Sequence, residues 1–342
     1  MLAHHELPEF QKFIKDYWVD GHLFGLETSL FNWQHKELDA FNCMVAKHGE
    51  EIVGVFCFIP LCHFDKSLPK TQIFLSLFRV LENKGIGIGY YLYKSILSKY
   101  NPEFMAGTTM NPRMKSFHEW QGFKVGIMDH HVVMSPFVNE FKVAKVPKML
   151  KIQSRKINSS VTFVKLTPKD LHDLATETLY LHQLPLKSDV YIINRFMFHP
   201  VYSYDVYAVS DNKKLQALCV IRPIIKDGSV VLRFVDFIGP NKSFSVLYDF
   251  LIDLLKMYNA EYIDIYSYGV PSIFLQEAGF IDRNKIDSLI IPNYFEPFDR
   301  RNVEVRFACK CLQTYPPIRL FKADGDQDRP SQIPGVIECF KN

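Results

Sequence analysis

The chain has 342 residues, enough for two domains with a core each, and its 48% hydrophobic and 23% charged content is that of an ordinary globular protein. It contains no apolar run of the ~18 residues that a membrane-spanning helix needs. The formal net charge of +3, with basic residues scattered and not gathered into a stripe, leaves no footprint for nucleic acid.

Met1-Leu-Ala-His-His-Glu6 lacks the basic and apolar regions of a secretion signal, which points to the cytoplasm. The seven cysteines are odd in number and several fall in apparent strands, so they read as buried, reduced thiols. Cys309-Lys-Cys311 has no second Cys or His cluster beside it, and no metal is expected. Pro8 to Tyr17 reads as a helix. Asn42 to Leu61 reads as two strands turning at His48-Gly49-Glu50. His63 and Asp65, just after it, read as loop residues.

Gln72 to Leu81 is an apolar, aromatic-rich run that predicts a buried strand. Lys84-Gly85-Ile86-Gly87-Ile88-Gly89 follows, and then Tyr90 to Tyr100, a helical pattern closed by Asn101-Pro102. A strand, a glycine-rich turn and a helix start make an anion site. Glycines let a phosphate approach backbone N–H groups, and the helix N-terminus adds partial positive charge. Lys84 could add a full charge at the rim. A nucleoside-triphosphate P-loop would need Gly-Lys-Ser/Thr, which is absent, and a dinucleotide loop needs a different glycine spacing.

The third candidate fits. Lys84-x-x-Gly87-x-Gly89 resembles the pyrophosphate loop of the GNAT acyltransferases, written Arg/Gln-x-x-Gly-x-Gly/Ala, with Lys in the first place. Downstream, Asn111 precedes a segment ending Phe117-His-Glu-Trp-Gln-Gly122-Phe123, similar to the family's Asn and its Phe-Tyr-x-x-x-Gly-Phe helix. Val125 to Ser135 then reads as a closing strand.

A basic junction, Val143 to Lys151, leads into a second run from Ser159 that repeats this plan. It has a helix capped by Thr167 with Pro168 in its first turn, and a hairpin from Val206 to Pro223 with Asp211-Asn212 at its tip. A strand from Val230 to Gly239, a helix from Phe244 to Tyr258, a strand from Tyr262 to Tyr266, and Gly279-Phe280 complete it. In place of the glycine turn it carries Gly239-Pro-Asn-Lys-Ser243, where proline removes an N–H and side chains crowd the loop. The expected fold is therefore α/β (α+β), with two tandem GNAT-like domains, residues 1–150 and 151–342. Each would be a mixed, mostly antiparallel sheet flanked by helices, the second having lost its cofactor loop and holding the acceptor.

The whole chain resembles the tandem GNAT N-acyltransferases that act on nucleotide-linked amino sugars for bacterial surface polysaccharide and lipopolysaccharide biosynthesis. The resemblance implies transfer of an acetyl or 3-hydroxyacyl group from acyl-CoA to the amine of a dTDP- or UDP-linked amino-dideoxy sugar, by direct attack. It places pantetheine along the backbone at Phe78 and Val80, and the pyrophosphate on Lys84, Gly85, Ile86, Gly87, Ile88, Gly89 and Tyr90. Asn111 would contact the cofactor or cap its helix. At the family's usual Tyr, which protonates the leaving thiolate, this chain has His118, a residue type with a near-neutral pKa.

For the proton acceptor, Ser76 is the lone hydroxyl in its strand, Glu82 flanks the glycine loop, and Asp236 interrupts Leu232-Arg-Phe-Val-Asp-Phe-Ile238. A buried acid needs a partner, either an internal cation such as Arg233 or a substrate group. Tyr266, Tyr268 and Phe295 are candidates to flank a flat ligand. The acid-rich Phe321 to Pro330 fits a solvated loop or a wall of the acceptor site equally. A FemX-like aminoacyl transferase, disfavoured by the intact glycine loop, and a non-catalytic acyl-CoA sensor stay open. Monomer and homodimer are both compatible with the sequence.

Overall fold

The computed structural model describes residues 1–19, 21–82, 84–150, 160–312, 316–326 and 328–332. Lys151, Ser159 and the last of the seven cysteines, Cys339, lie outside them. In chain order the main elements are α1 (Leu7–Tyr17), β1 (Cys43–His48), β2 (Glu51–Pro60), β3 (Gln72–Val80), α2 (Ile88–Tyr100), β4 (Phe104–Thr108), α3 (Lys115–Trp120), β5 (Lys124–Ile127) and β6 (Asp129–Met134). There follow β7 (Val161–Lys165), β8 (Asp205–Asp211), β9 (Lys214–Lys226), β10 (Ser229–Ile238), α4 (Tyr248–Met257), β11 (Ala260–Tyr268), β12 (Ile281–Asp282), β13 (Arg306–Cys311) and β14 (Leu320–Phe321).

The period-two alternation in β2 sets the layers. Phe56 and Phe58 face one side, where Leu92, Tyr93 and Ile96 of α2 cover them. Val55 and Cys57 face the other, under Phe10, Phe13 and Ile14 of α1. The first sheet runs β1-β2-β3-β4-β13-β5, and the second runs β12-β6-β11-β10-β9-β8-β7 with β14 also on β11. Each sheet is antiparallel except for one parallel pair, β3 with β4 and β10 with β11. In the second copy α4 buries Phe250, Leu251, Leu254 and Leu255 against its sheet.

The hairpins form where the sequence places them. The β8–β9 turn is Asn212-Lys213, one residue beyond the expected tip, and both residues have positive φ (49° and 64°). Such primed turns match the twist of the strands they join. Thr167 caps its helix in a reciprocal pair with Asp170.

A cut at residue 150 does not separate the two sheets. The expected single strand from Val125 to Ser135 breaks at Met128, whose N–H bonds to the Val305 carbonyl. β5 stays in the first sheet, while β6 crosses to pair with β11 of the second. In exchange, β13 returns from the C-terminal half and inserts between β4 and β5. The halves are also joined by one core, in which Ile59, Phe74, Phe104 and Phe307 of the first sheet meet Val206, Val220, Val235 and Tyr266 of the second.

Candidate functional site

β3 and β4 pair only at Gln72–Phe104, Ile73–Met105 and Phe74–Ala106. β3 then continues to Val80 without β4, so the strands splay and leave a wedge. On its other side β3 stays on β2, but the register jumps from Phe58–Leu75 to Phe56–Phe78, a bulge at Ser76-Leu77. Bulges take backbone groups out of the ladder, and this one lies beside the wedge. A cavity of about 150 Å³ fills it, lined by Leu75, Ser76, Phe78, Thr108, Asn111 and His118 among others. Phe78 and Val80 both lie on the length of β3 that pairs with β2 and not with β4, the kind of edge on which an extended ligand can add like a strand.

The glycine turn stands at the end of β3. Gly87 is the N-cap of α2 with φ +84°, a conformation that residues with a Cβ rarely take. Gly89 is needed for another reason. A Cβ there would lie 2.8 Å from Cζ of Phe78, so glycine lets α2 settle onto the strand. The helix starts at Ile88, two residues before the expected Tyr90. Gly85 to Gly87 are exposed, with Ile86 at the apex. Lys84 stands at the rim and holds Glu51 at 2.9 Å. Tyr90 stacks at a tilt on Trp120. An exposed turn of main-chain donors at the N-terminus of a thirteen-residue helix suits a diphosphate.

Asn111 lines the wedge and caps the short helix Pro112–Met114, accepting from the Arg113 N–H at 3.0 Å. His118 also lines it, buried against Phe117 and Phe123. Burial pulls its pKa down to about 4, so near pH 7 the ring is neutral. Its Nδ1 has no hydrogen-bond partner among the described residues.

The wedge also contains an acid that sequence reading missed. Asp326, in the segment read as an open choice between loop and wall, is 3% exposed and lines the same cavity. The Ser76 hydroxyl donates to its Oδ2 at 2.5 Å, and Arg329 Nε does so at 3.2 Å. Burial works against the charge. Arg329 and the Ser76 bond outweigh it and hold the carboxyl below its usual range. The only hint in sequence was a cluster of acids beside a proline, which solvated loops share.

The tail reaches the wedge by plugging the corresponding place in the second copy. β10 and β11 pair in parallel only as far as Phe234–Ile265, and β10 then bulges before Asp236. Into that second wedge goes β14, pairing Leu320 and Phe321 with Tyr268 and Ser267, while the Ala323 N–H bonds to Val235. The chain's own backbone occupies the place that a pantetheine would take. The Gly239 turn is sealed too, since Arg319 donates to the Gly239 carbonyl at 2.7 Å and to Asn241 Oδ1 at 2.8 Å.

Asp236 is consequently placed as a buried ion-pair partner. It is 1% exposed, lines neither cavity described here, and is held by Lys187 Nζ at 2.6 and 2.7 Å. Asp324 joins the same ammonium at 3.0 Å. Another internal cation thus answers Asp236, while Arg233, the one named from sequence, pairs with Asp264. Glu82 lies exposed beside the glycine turn. Tyr266 stacks on His130 and Tyr268 on Phe307, so both rings are used internally. Phe295 does line a pocket. That pocket, of about 50 Å³, shares Asp326 and Arg329 with the wedge, and Arg222, Arg233 and Lys322 make its walls polar.

No family model matches the sequence, and no curated protein matches it. Solved structures do share its fold. A GCN5-related N-acetyltransferase from Anabaena variabilis ATCC 29413 superposes with a TM-score of 0.54 at 11% identity, covering 92% of this chain and 72% of that one. A conserved protein from Enterococcus faecalis V583, described as a probable N-acyltransferase, gives 0.51 at 8% identity with the same coverages, 92% and 72%. At these identities the likeness is one of fold, and the fold is that of the GNAT proteins.

Proposed function

We propose that this GNAT-fold chain transfers an acyl group from acyl-CoA to an amine, the amine being that of a nucleotide-linked amino sugar. The reading rests on one observation, an open wedge beside a bulged strand with an exposed glycine turn at its mouth. The acceptor class comes from the resemblance of the tandem plan, and the polar pocket adjoining the wedge is in keeping with it. Pantetheine would lie along Phe78 and Val80 with its diphosphate at Gly85 to Tyr90. The thioester carbonyl would then sit by the bulge at Ser76-Leu77, where a backbone N–H freed from the ladder would polarise it.

The amine nitrogen attacks the carbonyl carbon, the C–S bond breaks, and CoA leaves as a thiolate. Asp326 takes the proton that the nitrogen sheds. His118, neutral in the free protein, donates a hydrogen bond to the departing sulfur. The test is release of free thiol from acetyl-CoA and 3-hydroxybutyryl-CoA against a panel of dTDP- and UDP-linked amino sugars. Release only with an amino sugar is expected; CoA binding without turnover on any amine would point to a sensor.

Two variants probe the parts. Gly87→Val places a branched side chain where the phosphate approaches and strains φ. Loss of one or two charge-assisted hydrogen bonds raises the KM for acyl-CoA roughly 10- to 100-fold. Unchanged affinity by calorimetry would remove the turn from cofactor binding. His118→Phe keeps the packing against Phe117 and Phe123 and loses one donor. A fall in kcat of up to about tenfold is expected, with acyl-CoA affinity intact. A wild-type kcat takes His118 out of the mechanism.

A further inference from the structure

Lys322 follows β14 directly, is 2% exposed, and lines the small pocket beyond Asp326. The pocket's three arginines each have a carboxylate. Arg222 pairs with Asp328 at 3.0 Å, Arg233 with Asp264 at 3.0 Å, and Arg329 with Asp326 at 3.2 Å. Lys322 has no carboxylate within ion-pair distance among the described residues, and its Nζ stands 5.6 and 5.8 Å from the Tyr266 and Tyr294 rings. A buried ammonium with no carboxylate in contact is costly, and such a group either gives up its proton or takes an anion. The plug of the second wedge is held by the pairing of Leu320 and Phe321, the Ala323 N–H and the Asp324 carboxylate, so it gives no reason for a lysine at 322.

We propose that the pocket around Lys322 binds an oxyanion, the carboxylate or phosphate group of the acyl acceptor. This rests on the acyl-transfer reading for its purpose, although not for its chemistry. The pocket adjoins the wedge through Asp326 and Arg329, so an anion seated there would bring the rest of its molecule towards the thioester. Its volume of about 50 Å³ suits one such head-group. The bound anion supplies the counter-charge that Lys322 lacks, and Arg222 and Arg233 flank it.

Protonation follows from the same arrangement. Burial, then the positive charge of Arg233, lowers the Lys322 pKa to about 7; Arg222 adds to this, while Asp328 and Asp264 oppose it. Glu296, Asp326 and Arg329 face the pocket too, as do the Tyr202 and Tyr294 hydroxyls. An anion raises the lysine's pKa, so above about pH 7 the anion and a proton bind together. Affinity then falls as pH rises.

The test is calorimetric titration of the full chain, saturated with CoA, with sulfate and with acetate, neither of which titrates between pH 6.5 and 8.5. At least one probe is expected to bind, with proton uptake at pH 8 visible as a buffer-dependent enthalpy. Lys322→Met is expected to weaken it about tenfold or more, the loss of one hydrogen bond to a charged group. Sulfate alone points to a phosphorylated acceptor, acetate alone to a carboxylate one. Failure of both probes, or equal binding by Lys322→Met, overturns the proposal. Should that variant not fold, the wild-type pH profile decides, since a flat profile from pH 6.5 to 8.5 also overturns it. CoA binding is measured in the same samples. Its loss would sink the acyl-transfer reading while leaving the anion result to stand or fall by itself.

Discussion

Asp326→Asn is expected to lower kcat about 100-fold while leaving the acyl-CoA dissociation constant unchanged, the lower end of what general acid–base catalysis contributes. The carboxylate is ionised near pH 7, because Arg329 and Ser76 hold its pKa below the ordinary value against the effect of burial. A weak base suffices, since the nitrogen becomes strongly acidic once it has bonded to the carbonyl carbon. The amide of asparagine keeps the shape and an acceptor for the Ser76 hydroxyl but cannot take the proton. Steady-state kinetics with calorimetry of acyl-CoA binding separates the cases, and a kcat within threefold of wild type would remove Asp326 from the mechanism. Stability moves separately. The depressed pKa makes the carboxylate's contribution to stability present above about pH 4 and lost as pH falls through the folded value. The variant forfeits that contribution, which a thermal melt at pH 7 reads without reference to rate.

What was legible in the sequence was local. Gly87 and Gly89 announce a turn within one short segment; the sequence suggests phosphate approach for both, whereas the structure needs Gly87 for its positive φ and Gly89 for the contact of α2 with Phe78. The strands of both hairpins carry their own period and their own turn residues. Pairing between distant strands has no such local mark. β6 alternates equally well for either sheet, and nothing in His130-His131-Val132-Val133 says that Tyr266, Ile263 and their neighbours lie opposite. β14 is two residues long, too short for any period, yet it fills the second wedge and delivers Asp326 to the first. Asp236 was legible as a buried acid needing a partner. Which cation answered depended on Lys187, forty-nine residues away in sequence and on no element that the periodicity marked.

That cation is the subject of the other large effect. Lys187→Met is expected to destabilise the fold by about 3–5 kcal/mol at pH 7, the range for removing one partner of a buried ion pair. Lys187, Asp236 and Asp324 have side chains 0%, 1% and 2% exposed, so no water replaces the missing ammonium. Burial opposes the lysine's charge, but the two carboxylates prevail and hold its pKa above the ordinary value. For Asp236, burial and the neighbouring Asp324 outweigh Lys187 and lift the pKa to about 6. Two acids sharing one ammonium leave an excess of negative charge, and the folded state relieves it by holding a proton more tightly than the unfolded chain does. Asp236 therefore contributes stability that is full below about pH 4 and lost as pH rises towards about 6. Without Lys187 the carboxyl loses the partner that lowers it, and the window moves upward. Urea unfolding of Lys187→Met should show the largest deficit at pH 8 and the smallest near pH 5. Adding Asp236→Asn should restore part of the loss at pH 8, because one of the two stranded charges is gone. A single variant as stable as wild type at pH 8, or a deficit that grows on acidification, would mean that the triad is hydrated and that the tail is anchored across the two wedges by Leu320 and Phe321 alone.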